Sequence, residues 1–239
     1  MHQFVKRLFF FLLLIAPGTT EAQMFSVPDR QERINRPSTI VRVGTSISTF
    51  DYKGSSNDPE QALLEVDNAL LAITIETLGL TANATVGNSL FGIDNGSFLD
   101  LNLKFTNGFN FVRLQKLQLG LPIQLSTGLA TSNSDFTENR FNQTHFSGGT
   151  GLFVNVSPSR KLQFQNSGVI GYGFSNSNGG FFGGNISYID VGSQINILNF
   201  ISERTLSIGY NYIFKSYDID LEIYDYDLTG HQITIGISF

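Results

Sequence analysis

The sequence contains no cysteine and no tryptophan, and only 6 of its 239 residues are proline. The absence of cysteine excludes a disulfide framework and a thiolate metal site. Charged residues are also scarce, at 15% of the chain. Beyond residue 22, no apolar run reaches the roughly 20 residues that a membrane-spanning helix needs. Neither disulfides nor membrane-spanning helices can therefore stabilise the mature chain.

The first 22 residues have the pattern of a secretory signal peptide. Lys6 and Arg7 form a positive segment, residues 8–16 are apolar, and small residues lead up to Ala22. The apolar run is too short for a helical anchor, which needs about 20 residues. We expect cleavage between Ala22 and Gln23, followed by a flexible lead-in over residues 23–39, where no periodicity is visible.

Without the signal peptide the chain has 13 basic and 19 acidic residues, a net charge of −6. The basic residues are scattered along the sequence and form no cluster. An acidic chain of this kind is a poor partner for nucleic acid. Gly (24 residues) and Phe (22 residues) are unusually frequent.

Apolar and polar residues alternate over long stretches, which is the period of a β-strand. In residues 117–129, Leu or Ile occupies almost every second position, and Gln, Gly, Pro and Ser fill the positions between. Apolar residues at every second position would surround a helix on all sides, so a helix is excluded. The same alternation recurs in residues 98–105, 162–174, 205–214 and 232–239, and less cleanly in 40–50, 69–87, 144–156 and 182–197.

The strand segments have about the 9–11 residues of a tilted transmembrane strand. Their polar face consists of Gly, Ser, Thr, Asn and Gln, which cannot pack into a soluble core. Large aromatic residues gather near strand ends, where an interfacial girdle is expected: Phe50, Tyr52, Phe146, Tyr172, Phe174, Phe181, Phe182 and residues 210–214. These features predict an all-β, antiparallel, up-and-down transmembrane β-barrel with its apolar face towards lipid.

Short and long connections alternate, and this fixes the expected strand count. Residues 157–160 and 199–204 are short periplasmic turns, whereas 88–97, 131–143, 175–181 and 215–227 are outward loops. The barrel, residues 40–239, then has ten strands, with eight as the alternative if residues 69–87 form one strand. The ten strands are residues 40–50, 69–76, 79–87, 98–107, 115–130, 144–157, 161–175, 182–198, 204–217 and 228–239.

The C-terminal segment resembles the closing strand of small bacterial outer-membrane β-barrel proteins. A loop rich in Tyr and Asp (residues 224–227) precedes Gly230, and an alternating strand ends at Phe239. The resemblance implies a Gram-negative cell envelope, periplasmic chaperones, and a barrel-assembly machinery that recognises this strand. The recognised residues would be Ile233, Ile235, Ile237 and Phe239. Outer-membrane lipids would surround the finished barrel.

Two groups of residues are candidate sites. Asp218, Asp220, Glu222, Asp225 and Asp227 could supply carboxylates to a hard cation such as Ca²⁺. However, apolar residues alternate with them, and the Gly of a calcium loop is missing. We favour a solvated loop and predict no metal or cofactor.

His145 and Ser147 lie on one side of a strand, as in barrel lipid A deacylases. An esterase needs a third group to orient the histidine, and residues 157–159 supply no acid. A barrel protease would need several acids and a histidine at the rim, and beyond the signal peptide only His145 and His231 are available. The sequence therefore predicts that the chain is not an enzyme.

Two functions stay open. A polar lumen would allow passive passage of small solutes in a porin-like way, although lumens of barrels with so few strands are largely filled by side chains. The alternative is a non-conducting structural barrel whose surface loops bind a partner. A secreted, lipocalin-like barrel would need an apolar interior and is disfavoured. We expect a monomer.

Overall fold

The computed structural model describes residues 39–54, 59–177, 183–219 and 224–239, and these contain ten β-strands. A short helix, α1 (Pro59–Ala62), lies between the first two strands. No helix in the described residues is long and apolar enough to cross a membrane. The strands are β1 (Thr39–Tyr52), β2 (Val66–Thr77), β3 (Leu80–Gly87), β4 (Gly96–Arg113), β5 (Leu117–Ser134), β6 (Arg140–Ser159), β7 (Leu162–Ser177), β8 (Gly184–Ile201), β9 (Arg204–Ile219) and β10 (Tyr226–Ser238).

Each strand pairs in antiparallel fashion with the next strand along the chain, and β10 returns to pair with β1. The closing ladder runs from Ile40 opposite Ser238 to Tyr52 opposite Tyr226. The sheet is therefore a closed up-and-down barrel. This confirms the predicted fold class and the count of ten strands, and it shows that residues 69–87 belong to two strands. The proposed signal peptide and most of the lead-in lie outside the described residues.

The period-2 pattern sorts side chains between the two faces of the barrel wall. On β5, Leu121, Ile123 and Leu125 are 44%, 49% and 48% exposed on the outside. Gln124 and Ser126, which alternate with them, are both 4% exposed and face the lumen. The apolar face thus points outward and the polar face inward, as the sequence predicts.

The two ends of the barrel differ. Four tight connections, 78–79, 114–116, 160–161 and 202–203, form one end, which we call the turn end. Positive φ angles at Gly79 (74°), Ser202 (49°) and Glu203 (65°) allow these sharp reversals. Thr39 and Phe239 also lie at this end, where the Phe239 N–H donates to the Thr39 carbonyl at 2.9 Å. The longer connections form the opposite end, the loop end.

Close packing of glycines at the β1–β10 seam generates a prediction about barrel closure. A Cβ on Gly236 would strike the backbone of Val41 and Arg42, whereas a Cβ on Gly168 would meet nothing nearer than Val191, at 4.0 Å. We expect Gly236→Ala to lower the free energy of unfolding by about 1–3 kcal/mol, the usual cost of overpacking. The control, Gly168→Ala, should change it little.

Urea unfolding of the refolded barrel in detergent micelles, followed by circular dichroism, measures both variants. Equal midpoints for the two variants would contradict the seam geometry.

Candidate functional site in the barrel lumen

Five aromatic side chains fill the lumen near the loop end. This aromatic plug consists of Phe50 (β1), Phe98 (β4), Phe141 (β6), Tyr217 (β9) and Tyr226 (β10), all at most 5% exposed. The Phe50 ring stacks on Tyr226 with centroids 4.7 Å apart and packs edge-on against Phe141 at 4.8 Å. Strands β1 and β6 lie on opposite sides of the barrel. A contact between them therefore closes the cross-section of the lumen.

Residues 59–65, which lead into β2, contact the plug and are hydrogen-bonded to neighbouring strands and loops. Leu64, which is 1% exposed, packs within the same apolar cluster, and Ser132 Oγ donates to its carbonyl at 2.7 Å. The Tyr226 hydroxyl donates to the Gln61 carbonyl of α1 at 3.1 Å and to Gln61 Oε1 at 2.9 Å. Glu60 accepts hydrogen bonds from Thr137 and Asn139 of the β5–β6 loop. The plug is thus covered by a segment bound to three other parts of the barrel.

Below the plug, ion pairs cross the lumen. Lys215 Nζ of β9 donates to both carboxylate oxygens of Asp100 on β4, at 2.6 and 2.9 Å. Lys104 of β4 pairs with Asp190 of β8. The side chains of these four residues are between 2% and 12% exposed. Because charges buried this deeply are costly unless paired, the pairs hold opposite walls of the barrel together.

A third ion pair lies closer to the turn end. Arg42 donates to Glu76 at 3.0 Å and to Ser207 at 3.2 Å. The three lumen ion pairs contain three basic and three acidic side chains, so they contribute no net charge.

Neutral hydrogen bonds fill much of the remaining cross-section. Gln232 Nε2 donates to Thr85 Oγ1 at 2.9 Å, and Gln124 Nε2 donates to the Tyr188 hydroxyl at 3.3 Å. A cavity among them, beside Asp100, has a volume of about 10 Å³, room for roughly one water molecule. This cavity is too small to hold a metabolite.

The aromatic girdle predicted from sequence is only partly correct. Phe146, Tyr172 and Phe174 are 57%, 58% and 51% exposed on the outside, as predicted. Phe50 is fully buried in the plug, and Tyr52 packs against the plug with its ring 5.2 Å from that of Tyr226, so the assignment of both to the girdle is wrong. The sequence did carry the relevant signal, because Phe50 lies in the same register as the inward residues Ser46 and Ser48. Phe181 and Phe182 lie outside the described residues.

The plug also corrects the description of the inner face as uniformly polar. At the loop end the inner face is aromatic, and only below it do Gly, Ser, Thr, Asn, Gln and the ion pairs predominate. The sequence shows which aromatics face inward, because a plug residue two positions from a polar inward residue lies on the same face of its strand. For example, Phe98 precedes Asp100, and Tyr217 follows Lys215.

His145 and Ser147 both point into the lumen from β6, at 4% and 1% exposed. Their side chains are not joined: the Ser147 hydroxyl hydrogen-bonds with that of Ser126 at 2.7 Å. His145 Nδ1 has no hydrogen-bond partner among the described residues, and its ring lies 6.3 Å from that of Tyr217. The described structure therefore assembles no Ser–His pair.

Among the other predicted residues that the structure describes, His231 and Asp218 lie at the surface. His231 is on the outer face of β10, and its Nδ1 is 2.9 Å from the Tyr210 hydroxyl. Of the acidic string, Asp220 and Glu222 lie outside the described residues, and Asp225 accepts a hydrogen bond from the Ile219 N–H at 2.8 Å. That the string is a solvated loop without a bound cation stays a prediction.

The expected assembly signal is accessible from outside. Ile233, Ile235 and Phe239 are 64%, 56% and 66% exposed, and the Arg204 guanidinium lies 5.3 Å from the Phe239 ring centroid. Ile237, on the same face, is half-buried. Recognition of these residues by an assembly machinery stays a prediction.

The chain is similar to the solved structure of the outer membrane protease OmpT from Escherichia coli, with 12% sequence identity and a TM-score of 0.38. The similarity covers 87% of this chain and 99% of that chain. No protein-family model and no curated protein matches the chain. At this identity and score the likeness concerns the barrel alone and assigns neither substrate nor catalytic residue.

The comparison corrects one prediction from the sequence. The chain was expected not to be an enzyme, yet the solved barrel to which it is similar is a protease. That prediction rested on the missing acid to orient His145 and on the small number of histidines, and it is withdrawn.

The buried pair Lys215–Asp100 yields a stability prediction. In Lys215→Met, the Asp100 carboxylate stays buried without its cation, and we expect a loss of about 3–5 kcal/mol in the free energy of unfolding. The double variant Lys215→Met/Asp100→Leu should recover most of that loss, because no charge remains to be desolvated.

Urea titration in micelles provides the measurement, and Lys53→Met serves as the control. Lys53 pairs with Asp51 at 3.4 Å on the surface, with both side chains at least 42% exposed, so its loss should be nearly neutral. If the double variant were no more stable than Lys215→Met alone, the ion pair would not be the cause.

Proposed function

We propose that this chain is an integral outer-membrane β-barrel that conducts no solutes at rest and acts as a membrane-embedded scaffold. An exterior of exposed Leu, Ile and Phe suits contact with hydrocarbon, and the lumen encloses the polar side chains. Closure of the sheet pairs the backbone groups that lipid would leave unsatisfied. The loop end would face outward and the turn end the periplasm, as in the small barrels that its C-terminal strand resembles.

The aromatic plug is the observation that carries the non-conducting part of the proposal. Phe50, Phe141 and Tyr226 meet on the barrel axis, and the ion pairs of Lys215 and Lys104 cross the lumen below them. A hydrated solute would have to displace both the aromatic plug and the ion pairs in order to pass. Passive passage is therefore less well supported than the scaffold role.

The loop end offers the surface on which a partner of such a scaffold would bind. Among the described residues of the loops and the adjoining strand ends, acidic side chains far outnumber basic ones. They are Asp51, Glu60, Glu65, Asp67, Asp94, Asp135, Glu138, Asp218, Asp225 and Asp227, against Lys53 and Arg140. This charge favours a cationic partner and disfavours an anionic one.

Planar-bilayer recording tests the closed lumen. The purified barrel should give no steady single-channel steps, because the plug and the ion pairs leave no continuous water path. Phe50→Ala/Phe141→Ala/Tyr226→Ala removes three rings from the axis and should add conductance or flickering openings. Phe146→Ala/Phe174→Ala removes two outward rings of the same barrel and should leave the bilayer silent.

Steady steps from the unaltered protein would overturn the non-conducting proposal and favour passive passage. Heat-modifiable migration in SDS gels confirms that each variant is a folded barrel before it is recorded.

A further inference from the structure

Among the described residues of the turn end, the longest unpaired strand edge lies on β4. The ladder between β3 and β4 ends at Leu80 opposite Phe105, and the adjoining turn adds one bond, from the Thr106 N–H to the Gly79 carbonyl at 2.7 Å. Strand β4 continues to Arg113 and pairs with β5 on its other side. On the β3 side, residues 107–113 have no strand partner within the described residues. We call them the free edge.

The surroundings of the free edge are apolar. Phe109 and Phe111 on the edge are 59% and 56% exposed, and Leu78 at the tip of the neighbouring turn is 73% exposed. An unpaired edge displays a row of backbone N–H and C=O groups. Such groups cost several kcal/mol each when they face hydrocarbon without partners. A strand added at the free edge would pair its backbone groups and cover its apolar side chains.

We propose that the free edge of β4 docks an extended segment of another, periplasmic protein, which adds one antiparallel strand to the sheet. This rests on the proposed function for the membrane setting and for the periplasmic side. Backbone hydrogen bonds supply affinity in this mode of recognition, and side chains on alternate positions supply selectivity. Apolar residues of the added strand would lie beside Phe109 on the outer face, which β4 shares with Leu103 and Phe105.

Charge specifies one end of the docked segment. The described connections and adjoining strand ends of the turn end carry five basic residues, Arg113, Lys116, Arg160, Lys161 and Arg204. Two acids, Glu203 and Glu76, lie there, and Glu76 is already paired with Arg42. Arg113 ends the free edge and Lys116 follows it, and neither forms an ion pair with a described residue. Because an antiparallel segment places its N-terminal end beside Arg113, that end should carry carboxylates.

The same argument separates a foreign segment from the chain's own residues ahead of β1. Residues 23–38 carry three arginines, Arg30, Arg33 and Arg36, against two acids, Asp29 and Glu32, and so have a net positive charge. Near the end of the free edge, the net positive charge of this segment would repel Arg113 and Lys116. An acidic segment of another protein is therefore the better fit.

Fluorescence anisotropy with the full barrel in detergent micelles tests the proposal. The probe is a labelled synthetic peptide of about eight residues, long enough to span the free edge. It starts with two aspartates and continues with alternating Ile and Thr. A second peptide has the same side chains but N-methylated amides at alternate positions, so it lacks hydrogen-bond donors along one edge. We expect the first peptide to bind and the second to bind at least about tenfold more weakly.

Paired charge reversals provide the matched control. Arg113→Glu/Lys116→Glu should weaken binding of the first peptide by about tenfold, from two lost attractions and two new repulsions. Arg160→Glu/Lys161→Glu makes the same change of charge on a turn away from the free edge and should leave affinity unchanged.

Five results would each overturn the proposal. The first three are no binding up to the solubility limit, equal binding of the N-methylated peptide, and equal loss in the two reversal variants. The fourth is a gain in affinity when residues 24–36 are removed, which would make the chain's own segment the occupant. The fifth is disulfide-linked dimers of Asn110→Cys that form regardless of added peptide, which would make a second copy the occupant. Bilayer conductance, which tests the proposed function, is not measured in this experiment, so the two can fail separately.

Discussion

The alternation of side chains between two environments is the constraint on which the rest of this structure depends. Along each strand the side chains alternate between the exterior and the lumen, and backbone hydrogen bonds connect every strand to two neighbours. A closed sheet of this kind leaves no backbone edge over most of its circumference. Its lumen can then hold the charged and amide side chains that the exterior cannot. Among the described residues of the turn end, pairing stops earliest beside β4, and for that reason a partner is expected there.

Alternation is a local property, so the sequence was sufficient to predict the strands. Strand ends were less predictable, because side chains on both faces meet a polar environment there and the alternation fades. Strand β4 was expected over residues 98–107 and extends over Gly96–Arg113, with Phe109 and Phe111 beyond the predicted end. Strand β6 was expected over residues 144–157 and extends over Arg140–Ser159.

Contacts across the lumen could not be predicted from one sequence. Register parity reveals that Asp100 and Lys215 face inward, but their meeting depends on the tilt and stagger of strands five positions apart around the barrel. The aromatic plug was missed for a different reason. Phe50 and Tyr52 stand two positions apart at a strand end, as the aromatics of an interfacial girdle would. Only the register with Ser46 and Ser48 places both on the inner face. Phe98 and Tyr217 show the same register with polar inward neighbours.

The central claim is that the outward row of β5 lies in hydrocarbon, and tryptophan scanning with brominated lipids tests it most directly. The chain contains no tryptophan, so a single introduced indole gives an unambiguous signal. Ile123→Trp, reconstituted in vesicles of lipids brominated on their acyl chains, should lose most of its fluorescence, whereas Ser126→Trp should keep it. Quenching of the Ser126 variant with no quenching of the Ile123 variant would contradict the outward orientation of the apolar face and the membrane barrel with it.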